Sequence, residues 1–350
     1  MEPVKQSAGK RKQPHEKEGR VKKAMLIFDL SMILSLVLMG FLVGILSGFF
    51  GFGGGFIITP FLFTLGLPMN TAVGTSIAQI TGTAVIGTMR HRRLRHVDVK
   101  LGLITTAGAL VGVEIGAQLI EHLKKISLEV LDLSVSLVYI SLLGVISIFM
   151  SWEAWKSKRR SKAEKPRERT YKIAQHVKIP PLITLSDSGI SSISFWLIFF
   201  LGLATGVTAG FVGAGGGFLQ VPLLIYLIGC RTTVAIGTNL FGMLIASIYA
   251  CFSHAFKGNV DIFSAVYMLA GSAIGTQIGV SATRHVKEEN LRLAFGACVG
   301  SIALSVAFEI LSRASHISFL GLISQGVLVL TVFSLSSFII IQALRLHEKI

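Results

Sequence analysis

The residues that stand out by type and spacing in this chain are glycines, so its chemistry falls first to the backbone. Gly51-Phe52-Gly53-Gly54-Gly55-Phe56 lies inside an apolar stretch that reaches Pro60. The pattern returns 162 residues later, where Gly206 to Phe218 repeats the order of Gly44 to Phe56, and Pro222 answers Pro60. Adjacent glycines disfavour continuous helix, each costing up to about 1 kcal/mol relative to alanine. A helix restarted after such a break offers free N–H groups and the positive end of its dipole, a combination that favours an anion. In hydrocarbon a broken backbone survives only where protein or a water-filled cavity satisfies it. Two glycine-interrupted apolar segments at matching places in two halves therefore point to a solute-binding site. On this reading Gly53, Gly54, Gly55 and Phe56, together with Gly215, Gly216, Gly217 and Phe218, line that site. Close helix packing is the competing reading. It accounts well for Gly108, Gly112 and Gly116 at every fourth position, and poorly for three adjacent glycines before a short apolar segment.

Other candidates follow from the same duplication. A one-residue shift aligns Ala72-Val73-Gly74-Thr75-Ser76 with Ala235-Ile236-Gly237-Thr238-Asn239, so Thr75, Ser76, Thr238 and Asn239 are positioned to hydrogen-bond an oxyanion or to brace neighbouring helices. Gln79 and Thr81, one turn deeper, are weaker candidates. Glu114 is the acidic residue well inside a span, with Gln118 four residues on, and is read either as a carrier of a coupling proton or as a neutral, hydrogen-bonded side chain. Asp98 and Asp261 precede spans and read as N-caps. His91 and His254 read as isolated loop residues, and Cys230, Cys251 and Cys298 as small buried side chains, so no metal is expected. The glycines lack the Lys-Ser/Thr pair of a nucleotide loop. No HExxH, paired catalytic carboxylates or Ser–Lys pair argues for an enzyme, and no cofactor is expected.

The elements that hold these residues are membrane helices. Of 350 residues 52% are hydrophobic and 15% charged, with mean hydropathy +0.70, a balance suited to a lipid bilayer rather than water. The net charge of +15 sits in flanks and loops, with 8 Lys and Arg in residues 1–23, 5 in 90–100 and 10 in 153–193, which argues against nucleic acid as a partner. Residues 1–24 read as a basic cytoplasmic tail, 25–152 as a first transmembrane repeat, and 153–192 as a basic cytoplasmic linker. Residues 193–311 then form a second repeat, and 312–350 carry an extra C-terminal span. The fold class is all-α, a polytopic membrane protein of two four-span repeats. In each, the segment after the glycines, Phe56 to Leu67 and Phe218 to Gly229, reads as a re-entrant half-helix. Twelve residues make about 18 Å of helix, short of the roughly 30 Å hydrocarbon layer. Pro68 and Asn70 supply the turn that follows. With re-entry, the tail, the 90–100 loop and the linker all fall on the cytoplasmic side. Both halves then start inside, and the repeats are parallel.

At these residues the chain resembles the TauE/SafE family of sulfite exporters, also called DUF81 or TSUP. The resemblance covers about residues 27–311 and rests on the GxGGG-F…P segments, the GTS and GTN that follow them, and the Gly-x-x-x-Gly spans. It implies a cell-membrane protein that moves a small oxyanion, such as sulfite, sulfate or an organosulfonate, by alternating access between the repeats. An anion channel could use the same helix-terminus site.

Overall fold

A computed structural model describes residues 14–65, 67, 69–159, 177–212, 216–284, 286–315 and 317–344. The expected turn residue Pro68, the charged middle of the linker and Gly215 lie outside this set. The first half comprises α1 (Pro14–Phe50), α2 (Gly55–Thr64), α3 (Met69–Arg93), α4 (Val99–Ile126) and α5 (Leu128–Arg159). A two-stranded antiparallel hairpin, β1 (Leu182–Leu185) with β2 (Ile190–Ser194), leads into the second half. There α6 (Phe195–Val212) is followed by α7 (Gly217–Leu223), which widens into a π turn over Leu224–Ile228. Then come α8 (Thr232–Phe256), α9 (Ile262–Ala282), α10 (Glu288–Ser315) and α11 (Ser318–Leu344). Among the described residues six helices are long and apolar enough to cross a membrane: α1, α4, α8, α9, α10 and α11. The fold is a polytopic all-α membrane bundle. The expected span in α3 falls outside the six for a physical reason. Thr75, Ser76, Gln79, Thr83 and Thr88 interrupt its apolar run, and they are buried against protein instead of lipid.

The bundle is held by two glycine seams, and each joins one half to the other. A Cβ placed on Gly40, Gly44 or Gly48 of α1 would strike the backbone of Met268, Ser272 or Thr276 of α9, and one on Gly271, Gly275 or Gly279 would strike α1 in return. The counterpart seam joins Gly108, Gly112 and Gly116 of α4 to Gly202, Gly206 and Gly210 of α6. Removing the side chain lets the backbones touch, so the attraction is dispersion over a close backbone contact. The first helix of each half is therefore clasped by the third full-length helix of the other.

The order of contacts fixes helix direction. Along the α1–α9 seam both numbers rise together, and so do those of the α3–α9 pairs Thr83–Ser272 and Arg90–Ser281, so α1, α3 and α9 run parallel. Gly74 meets Asn259 while Gly237 meets His96, so α8 opposes α3; Gly102 meets Phe241 and Gly242 meets Thr106, so α4 and α6 run with α8. Two expectations are corrected by this. Since α1 and α3 point the same way, α2 does not re-enter. With the break before it, α2 carries the chain back to the end where α1 began. Since α1 and α6 point opposite ways, the halves are inverted, not parallel. The start of α1 and the basic loop Arg90–His96 accordingly occupy opposite ends of the bundle. Hydropathy and length were compatible with both paths, and only the packing partners distinguish them.

Both caps read from the sequence are present, and each is tied across the halves. The Asp98 carboxylate accepts from Leu101 N (3.0 Å), while its own N–H donates to Thr238 Oγ1 (3.0 Å). Asp261 accepts from Ser264 N and donates its N–H to Thr75 Oγ1 (2.9 Å). Asp98 also receives the Ser188 hydroxyl (2.7 Å) and N–H, which pins the hairpin turn to the start of α4. Leu185, Ile190 and Ile193 of the hairpin are buried in the core. The linker is thus folded at both ends, with α5 running helical to Arg159 and the hairpin docked on the bundle.

Candidate functional site

The glycine breaks are where the two halves meet. Gly51, Gly53 and Gly54 have φ of +80°, +80° and +85°, and Gly216 has +67°, the left-handed region that side chains resist. These turns end α1 and α6 and restart the chain as α2 and α7. Pro60 and Pro222 sit at the sixth residue of their half-helices. Because α2 descends from the break and α7 ascends from it, the two half-helices present their N-termini to one another at the centre. A Cβ on Gly217 would lie 2.9 Å from Phe52 Cα and 2.7 Å from Asn239 Nδ2. The repeat-related Phe56 and Phe218 approach to 6.2 Å between ring centroids.

Residues 51–59 and 216–218 are buried. First-turn N–H groups have no acceptor within their own helix, and each helix start carries roughly half a positive charge. Two such ends converge here inside a shell of Phe50, Phe52, Phe56, Phe218 and Phe295. Low polarizability around converging dipole ends strengthens their field. Asn239 spans the junction, donating from Nδ2 to the Gly51 carbonyl, while its Oδ1 is buried with no protein partner among the described residues.

The remaining sequence candidates separate. Ser76 bonds Thr59 on α2 (2.8 Å) and the Val73 carbonyl (2.8 Å), bracing the half-helix rather than pointing alone at its start. The hydroxyl oxygens of Thr75 and Thr238 are occupied by the cross-half caps. Glu114 is exposed on α4, where Gln118 donates to it at 3.1 Å, and it belongs to neither break. His91 differs most from its sequence reading. It lies in the last turn of α3, fully buried, with Nε2 donating to the Gly48 carbonyl (3.1 Å) and Nδ1 3.4 Å from Nδ1 of His96. Burial pushes the His96 imidazole below its ordinary value, and the nearby Arg284 adds to the shift. The missed signal was the spacing of Gln79, Thr83 and His91, four and then eight residues apart, along one face of α3, beginning in what reads as membrane and ending in what reads as loop.

The chain is similar in sequence to known membrane transporter proteins. The family model described as Sulfite exporter TauE/SafE matches residues 36–306. A "Probable membrane transporter protein YunE" of Bacillus subtilis is 27% identical over 267 residues, covering 73% of this chain and 90% of its own. YdhB of the same organism, carrying the same description, is 28% identical over 71% of this chain and 89% of its own. A third, MJ0441 of Methanocaldococcus jannaschii, is 23% identical over 80% of this chain and 97% of its own. No solved structure matches. With the family model covering both glycine breaks and both seams, the chain belongs to the TauE/SafE sulfite exporter family of membrane transporters.

Proposed function

We propose that the protein is a secondary transporter of a small, sulfur-containing oxyanion such as sulfite, sulfate or an organosulfonate, bound where the α2 and α7 N-termini converge. The observation that carries this reading is the head-to-head approach of two buried helix starts, with Phe56 and Phe218 6.2 Å apart. Backbone N–H groups from both halves would hold the oxygens, and Asn239 would set the junction's width. Inverted halves suit alternating access, because exchanging their roles exposes the same centre to the other side. Radiolabelled sulfite, sulfate, thiosulfate and isethionate are the probes, offered to proteoliposomes in counterflow. Saturable uptake of at least one is expected, with no single-channel current in planar bilayers. Currents of channel size would replace transport by conduction, and a panel without uptake would overturn the reading.

Sidedness is part of the proposal. The basic-loop end carries 21 Lys and Arg, counting the linker and the C-terminus, against 12 at the end holding the N-terminal tail. The positive-inside rule therefore places the linker in the cytoplasm and the N-terminus outside. In a chain with its three cysteines replaced, Lys257→Cys should label with impermeant maleimide in intact cells. Asp187→Cys, at the exposed hairpin turn, should label only after permeabilisation. The reverse pattern inverts the orientation.

A further inference from the structure

The two glycine seams are related by the duplication, yet they differ. Beside the α4–α6 seam the buried Thr105, Thr106 and Thr205 bond the backbone of their own helices, whereas along α1, α3 and α9 polar side chains bond one another or are left without a protein partner among the described residues. On α3, Gln79, Thr83, Gly87 and His91 succeed one another at four-residue spacing and so lie on one face. Gln79 Nε2 donates to Thr83 Oγ1 (2.7 Å), and Thr83 Oγ1 donates to Ser272 Oγ (3.1 Å) on α9. One turn further along, the Cβ position of Gly87 is 3.5 Å from Thr276 Cγ2, and Thr276 in turn backs onto Gly48. Gly48 is the residue whose carbonyl holds His91. The column thus runs from the level of the first glycine break, where Ile80 packs on Gly53 and Gly55, to His91 and the half-buried His96 at the basic-loop end.

Four polar atoms along α1, α3 and α9 are buried without a protein partner among the described residues: Ser47 Oγ, Gln79 Oε1, Thr88 Oγ1 and Thr276 Oγ1. An unsatisfied buried polar atom costs about 1–3 kcal/mol, and bound water is the usual remedy. Their repeat counterparts are Ala209, Gly242, Cys251 and Val113, and those of Thr83 and Ser272 are Ala246 and Ala109. None of these counterparts carries a hydroxyl or an amide.

We propose that the α1–α3–α9 interface holds a file of water linking the His91–His96 pair to the first glycine break, and that protons travel along it to drive anion movement. The driving role rests on the transport reading above, whereas the water file does not. His91 can relay without net change. It takes a proton from His96 on Nδ1 while Nε2, its bond to the Gly48 carbonyl broken, gives its own proton to the first water, and a turn of the ring about Cβ–Cγ restores the starting tautomer before the next transfer. The ionisable side chain facing His91 is His96, which Arg284 faces in turn. Neither α1 from Leu30 to Phe50 nor α8 from Thr232 to Met243 offers another. Arg90 reaches Ser281 (3.5 Å), and the Asp98 carboxylate is taken by Ser188 and Leu101.

Two experiments test this. In a chain otherwise free of cysteine, Thr276→Cys and Ile45→Cys are equally buried, one on the column and one in the apolar core. In proteoliposomes the aminoethyl methanethiosulfonate cation should modify Thr276→Cys and leave Ile45→Cys intact, since the reaction needs hydrated thiol. Equal inertness of the two would overturn the water file. For the driving role, sulfate and isethionate are useful probes because neither titrates near neutral pH. An imposed gradient of about one pH unit should raise wild-type accumulation by up to tenfold for one coupled proton. His91→Gln should keep counterflow exchange and lose that rise. A wild type indifferent to the gradient, or a His91→Gln variant that still responds, sinks the proton role. A wild type that takes up neither anion defeats the transport reading instead, and the thiol comparison then decides the water file alone.

Discussion

Gly217→Val is expected to abolish anion transport and, with it, the stabilisation of purified protein by the transported anion. The valine side chain would enter the gap between Asn239 Nδ2 and Phe52 Cα, at 2.7 and 2.9 Å from its Cβ. Phe52 Cα is backbone and cannot swing aside, so the two half-helix starts must part and their N–H groups lose a common focus. Overpacking of this kind costs about 1–3 kcal/mol. A ligand at about 100 times its Kd adds about 2.7 kcal/mol to stability, and that increment is what the variant should lose. Gly54 and Gly216 are poorer choices, because their positive φ would add backbone strain to any side chain. Gly55→Ala offers a milder companion, since its Cβ meets the movable end of Ile80 at 2.6 Å. It should fold and show a reduced anion-dependent shift. Parental shifts from both variants, measured by thermal unfolding with sulfite and with sulfate, would remove the anion from this junction.

Gly275→Val should instead strike stability itself. Its Cβ would meet the backbone of Phe41 and Ile45, with Ile45 N at 3.0 Å, and neither helix has a side chain there that can yield. The α1–α9 seam must then open, at a cost of about 3 kcal/mol or more, at the upper end for overpacked interiors. Gly144→Ala is the matched comparison, as nothing lies within 4 Å of its Cβ position. Alanine there should be neutral or gain up to about 1 kcal/mol from helix propensity. Monodispersity and apparent melting temperature of the two variants read the difference. A Gly275→Val protein as stable as the parent would mean the seam is not a close contact.

How far the sequence could be read depended on the physics of each feature. The breaks were legible because three adjacent glycines conflict with helix wherever they occur, and the duplication repeated the conflict. Asp98 and Asp261 were legible as caps because a cap is a local motif. Chain direction was not legible. The short segment after Phe56 has the same length and hydropathy whether it turns back or continues, and the deciding contacts, Gly44 and Thr83 both with Ser272, join separate helices. Counting charges led the wrong way because it put the start of α1 and the basic loop on one side, whereas they stand at opposite ends. The repeat singled out Thr75 and Thr238 as oxyanion ligands or helix braces, but it could not say that their hydroxyls would meet Asp261 and Asp98 of the other half. Glu114 drew attention as a charge in an apolar run, while the buried His91 was passed over because its neighbours in sequence are arginines.

The clasp between the halves has a consequence for how the molecule is made. More than 200 residues separate Gly48 from Thr276, its contact on α9. A ribosome delivers α1 long before the surface it fits, and α1 must wait in the bilayer with its glycine face covered by lipid alone. Neither half can complete its own interior, so the unit of folding is the whole chain, not the repeat. Cut between the halves and given two identical copies, the same geometry would be an antiparallel dimer that trades its first helices. The single chain has the architecture of such an exchange made permanent by a linker.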